Sequence, residues 1–169
     1  NVLLGAVVAY QFGMLAFGPL DRLLDTRKWI AVGGNLVTVS MLATLALASQ
    51  PPVWVPVAAI LVMGFVSASS TMVLSHGRGI IPDRLIGRGM STLNTAVMLG
   101  VACMQSLSGI ILGAFEPLAN GGRSEAAYHA LFGVLTVVLI TAVAIYSRSQ
   151  DVRPSDEMRA RAHFVARPD

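Results

Sequence analysis

Charge is what this chain has least of. Asp, Glu, Lys and Arg make up 12% of its 169 residues, about half the share usual in a soluble domain. Apolar residues fill 54%, and the mean hydropathy is +0.68. One water-soluble core of this length has too little interior for so much apolar surface, so lipid is the expected solvent. Cysteine is nearly missing as well. Cys103 stands alone, which excludes an internal disulfide and a cysteine cluster for zinc.

Enzyme signatures are also lacking. The chain has no HExxH, no GxSxG and no glycine-rich phosphate loop, and Gly77-Arg78-Gly79 is too short for a dinucleotide fingerprint. No paired carboxylates share a face of an apolar segment. No enzymatic activity, metal or cofactor is therefore expected. The formal charge is +3 and the pI near 9.6. Even so, the basic residues punctuate apolar runs and do not gather on a polar surface, which speaks against nucleic acid. No basic stretch precedes the first apolar segment, so a signal peptide fits poorly. A start at Asn1 in place of Met points to missing upstream sequence.

What is present is a set of five apolar segments, at 1–17, 29–48, 53–74, 90–115 and 127–146, none with an interior Asp, Glu, Lys or Arg. A membrane-crossing helix needs about 20 apolar residues, roughly 17–25. The last four segments qualify, and the first sits at the lower limit. Ser49-Gln50-Pro51-Pro52 is a tight turn, because neither proline continues a helix. The connectors 75–89 and 116–126 are longer and rich in glycine and proline. Links this short put successive helices antiparallel. The expected fold is an all-α membrane protein, with five antiparallel transmembrane helices over 1–147 and a polar tail over 148–169. Within the tail, 155–167 is either disordered or a short surface helix carrying Met158, Ala162 and Val165 on one side.

The few charges are concentrated. Asp21, Arg22, Asp25, Arg27 and Lys28 all fall in the connector 18–28. If the five helices alternate, this connector, the 75–89 connector and the tail share one side. Together they hold every Lys and Arg except Arg123. Basic residues in short loops mark the cytoplasmic face. A cytoplasmic C-terminus in a bacterial inner membrane is therefore expected.

The order Gly18, Asp21-Arg22, Arg27-Lys28 resembles the cytoplasmic signature of the major facilitator superfamily: glycine, a short spacer, Asp-Arg, then a basic pair before the next helix. It departs from that pattern in having one residue fewer between Gly18 and Asp21, and Asp25-Thr26 where the family carries a glycine. Two helices later, Pro82-Asp83-Arg84 and Gly87-Arg88-Gly89 lead into a helix with Gly100, Gly109 and Gly113, again as in the family. The resemblance covers nearly the whole chain. It implies that the five helices correspond to the eighth to twelfth of a twelve-helix transporter. It also implies movement of a small solute by alternating access, with the bilayer and a missing N-terminal half as partners. In the family the acidic residue, here Asp21, helps latch the two halves on the cytoplasmic side. The same charges also fit a plainer role, anchoring the loop in water.

Polar residues inside the apolar segments are the candidates for lining a cavity. Asn94 and Gln105 lie eleven residues apart, close to three helical turns, and so share a face. Buried amides in lipid need partners or a water-lined cavity. By the resemblance their helix lines the central cavity, although interhelical hydrogen bonding suits them equally. Gln11, beside Tyr10, and Ser70, with Ser67, Ser69 and Thr71, are further candidates; hydroxyls in such helices commonly bond back to their own backbone. Gly109 and Gly113 form a GxxxG and Ala9 with Gly13 a second small pair, both expected at close helix contacts. His76 is expected as a solvated loop histidine, the alternative being a proton shuttle at a helix end. The rival from another class is a five-span structural or assembly subunit that transports nothing.

Overall fold

Proline stands at or just past the ends of three of these helices. The structure is a computed structural model and describes residues 1–118 and 121–156. Those residues are helical, without a strand: α1 (Val2–Phe17), α2 (Leu20–Leu24), α3 (Lys28–Leu47), α4 (Trp54–Ser67), α5 (Ser70–Ile80), a 3-10 turn (Asp83–Leu85), α6 (Ile86–Gly113) and α7 (Glu125–Tyr146). α1 ends at the Gly18-Pro19 step, and α3 ends before Pro51-Pro52 with Ala48 already extended. Ile81, extended ahead of Pro82, closes α5, since a residue before proline avoids helical geometry. Asp25 closes α2 in the left-handed region, with φ 48. A short polar side chain tolerates that conformation, and Asp25 stands where the resembled signature carries glycine.

Four segments are long and apolar enough to cross a membrane: Lys28–Leu47, Trp54–Ile80, Asp83–Gly113 and Glu125–Tyr146. α1 has 16 residues. At 1.5 Å per residue it reaches about 24 Å, short of a hydrocarbon layer of roughly 30 Å. Two boundaries differ from expectation. The third segment runs past Leu74 to Ile80 and the fourth starts at Ile86, so the 75–89 connector shrinks to residues 81–85. Glycine costs a helix only about 1 kcal/mol, and close packing offsets that here. A Cβ on Gly77 would stand 2.9 Å from Leu93 Cδ2, and one on Gly89 2.6 Å from Ile81 Cδ1. The surface helix expected over 155–167 lies outside the described residues beyond its first two positions.

Little of the chain is buried. Ile30, Ala31 and Met72 form the core, with Phe17, Leu20, Val73 and Tyr146 packed around it. Large side chains such as Leu3, Leu15, Ile110 and Leu47 are exposed, the last by 82%. Each would cost about 1.5–3 kcal/mol if left in water. Hydrocarbon surroundings remove that cost, and with it the hydrophobic drive between helices. Close backbone approach takes over. Gly13 lets α1 lie against α4 so tightly that a Cβ there would overlap Phe65 O. Gly64 returns the contact, since a Cβ there would stand 2.7 Å from Ala6 O, and Gly34 of α3 seats Ser69. Gly109 and Gly113 behave differently. Both have open space around them among the described residues, so their GxxxG meets no described helix.

α3 and α7 run antiparallel and are tied at both ends. At one end His129 Nε2 donates to Ala48 O at 3.0 Å, and Glu125 Oε1 accepts the Gln50 amide at 2.6 Å. At the other, Lys28 Nζ donates to Ser149 O at 2.8 Å.

Candidate functional site

α6 is a long helix with little cover among the described residues. None of its 28 residues is buried, and it packs against α7 on one flank and α5 on the other. Ser91, Asn94 and Thr95 open onto a depression of about 580 Å³ with Met98 and Leu99. Three turns on, Gln105 and Ser108 line a second, of about 560 Å³, with Met104 and with Leu135 of α7. The Thr95 and Ser108 hydroxyls donate back to Ser91 O and Met104 O, at 2.9 and 2.7 Å. That leaves the Ser91 hydroxyl and the two amides with spare capacity: Asn94 and Gln105 are exposed, and their side chains make no hydrogen bond among the described residues. Unpaired amides on one face of a membrane-length helix call for water or a polar ligand. Gln11 on α1 and Ser70 at the start of α5 are exposed too, but neither lines these depressions.

At one end of the chain the 18–28 connector, the end of α5 and the segment after α7 come together. Arg27 Nε donates to Asp21 Oδ2 at 3.4 Å, a local pair largely out of solvent, with side-chain exposures of 13% and 16%. Thr26 Oγ1 accepts the Trp29 amide at 3.3 Å, capping α3, and donates to Asp151 Oδ2 at 2.5 Å. Asp151 Oδ1 also accepts the Lys28 amide at 3.2 Å. Asp25 accepts the Ser155 amide at 2.9 Å and its hydroxyl at 2.7 Å. Lys28 is buried, and its ammonium lies 4.9 Å from the centre of the Trp29 ring. Segment 147–156 is thus a strap folded back onto the start of α3. Arg22, Pro82, Arg84 and Arg88 are exposed, Gly87 has open space around it, and Gly18 is an ordinary right-handed helix end. Exposed arginines with apolar stems are free to reach water or lipid headgroups.

His76 corrects an expectation. It is 2% exposed and sits inside this strapped end, not in a solvated loop. Its Nδ1 lies 2.9 Å from the Tyr146 hydroxyl and its Nε2 2.7 Å from Gln150 O, with the two rings edge to face at 5.5 Å. Gly77 and Gly79 pointed to a connector at this place, but α5 runs through both. Sequence reasoning missed the strap as well. Its one trace is the hydroxyl and carboxylate spacing of Ser149, Asp151 and Ser155 just past a long apolar helix. Compared with protein-family models, with curated proteins and with solved structures, the chain matches none.

Proposed function

We propose that this chain is the C-terminal part of a secondary transporter of the major facilitator type, moving a small solute across a bacterial inner membrane by alternating access. The observation that carries this reading is the uncovered polar stripe on α6. A helix of membrane length exposes two unpaired amides, Asn94 and Gln105, on a face that no described residue covers. A solute pathway between two helical halves gives that face its water and its ligand. α1 counts as a fifth, short span in this reading, with the strapped end in the cytoplasm and Asp21 near the missing half. The spans carry no interior charge, so this half faces a neutral or amphipathic solute, and any proton coupling falls to the other half.

Thiol accessibility tests it. In a Cys103→Ser background, Asn94→Cys and Gln105→Cys are expected to react with a membrane-impermeant reagent in intact membranes. Val137→Cys, on an exposed apolar face of α7, is expected to stay unreactive in lipid. A five-span assembly subunit would hold both amides against a partner helix. Unreactive thiols at 94 and 105 would favour that rival and remove the aqueous pathway.

A further inference from the structure

The membrane-length segment Trp54–Ile80 is not one helix. It breaks between Ser67 and Ser70. Here the amides of Ala68, Ser69, Thr71 and Met72 donate three residues back, to Phe65 O at 3.4 Å, Val66 O at 3.0 Å, Ala68 O at 3.2 Å and Ser69 O at 3.0 Å. Two hydroxyls support the tighter turn: Ser67 Oγ donates to Gly64 O at 2.7 Å and Thr71 Oγ1 to Ala68 O at 2.8 Å. The amide of Thr71 thereby leaves the Ser67 carbonyl. Such 3-10 turns inside a longer helix bend easily and mark hinges. The break also has a bearing on each side. Ala68, with no exposure, sits at Gly13 of α1, and buried Ser69 sits at Gly34 of α3. Above it α4 packs on α1 and α3, and below it α5 packs on α3 and α6.

α5 ends in the His76 clasp. A carbonyl only accepts, so Nε2 carries the hydrogen given to Gln150 O, and the Tyr146 hydroxyl donates to Nδ1; this assigns the tautomer. One residue on, Gly77 lies against Leu93 of α6, the neighbour of Asn94. We propose that α5 is a hinged half-helix, pivoting at 67–70 and held closed by His76 clasped between Tyr146 and Gln150. Opening the clasp lets α5 swing while α4 stays seated on α1, and the Gly77–Leu93 contact carries the movement to the Asn94 end of α6. Only the last step, a gate on the solute pathway, rests on the transporter reading.

Hydrogen exchange on the protein reconstituted in lipid tests the hinge without any solute. Tyr146→Phe removes one hydroxyl and no packing volume beyond it. It is expected to speed exchange of the 70–80 amides about tenfold, the effect of one lost hydrogen bond to a buried ring, and to leave 54–67 and α1 unchanged. His76→Ala is expected to do more in the same place. If Tyr146→Phe leaves 70–80 unchanged, or speeds 54–67 and 70–80 equally, the segment opens as one helix and the hinge is wrong. Failure here leaves the reactivity of the Asn94→Cys thiol standing, and an unreactive thiol leaves the exchange result standing.

Discussion

Replacing Gly13 with valine is expected to pull α1 away from α4 and lower the thermal unfolding midpoint of the detergent-solubilised protein by roughly 6–12 °C. A Cβ at this position overlaps the Phe65 carbonyl and stands 2.9 Å from Ala68 Cβ. The first obstacle is backbone and cannot turn aside, so the side chain is accommodated only by moving one helix. Overpacking of this kind costs about 1–3 kcal/mol and sometimes more. An immovable neighbour puts Gly13→Val at the upper end, and each kcal/mol is worth about 2–4 °C in a chain of this size. α3 supplies the control in two adjacent residues. Gly34 presses on Ser69, whereas Gly33 has nothing within 4 Å. Gly34→Ala should therefore destabilise, and Gly33→Ala should be neutral or gain up to about 1 kcal/mol from helix propensity. Equal effects at 33 and 34 would mean that the glycine contacts do not hold the helices together.

Ending the chain after Arg148 is the second change expected to matter greatly. It removes Ser149 O from Lys28 Nζ and Gln150 O from His76 Nε2, along with the Asp151 carboxylate that takes Thr26 and the Lys28 amide. A buried donor left without a partner costs about 1–3 kcal/mol. Two such donors give about 2–6 kcal/mol, and the lower half of that range is expected because water enters where the strap lay. Asp151→Ala alone should cost about 1–2 kcal/mol, since it takes the acceptor from Thr26 and the Lys28 amide but leaves the Ser149 and Gln150 carbonyls in place. Midpoints of unfolding for the two variants check the order. A truncated chain as stable as the full one would show that the strap follows the fold and does not support it.

The long helices were legible in the sequence because a run of about 20 residues without charge has few alternatives in lipid. Their ends were less so. Gly77, Gly79 and Gly87 read as connector, yet a helix carries single glycines at small cost, and packing of Gly77 on Leu93 and of Ile81 on Gly89 outweighs it. Pro82 was the real stop. The shared face of Asn94 and Gln105 followed from helical spacing alone. Long-range partners were another matter. Nothing near His76 in sequence names Tyr146 or Gln150, because 70 and 74 residues separate them. The break at 67–70 did leave a mark in its cluster of hydroxyls, which bond back to backbone carbonyls as expected, but the same back-bonding occurs in an unbroken helix.

The fastening of α3 to α7 at both ends limits what the pair can do. Its two sets of ties are separated by nearly the full 20 residues of α3, about 30 Å. A slip of one helical turn, about 5.4 Å, would have to undo both sets at once. These two rods are bolted in register, so the pair moves by tilting as one plank and not by sliding one past the other.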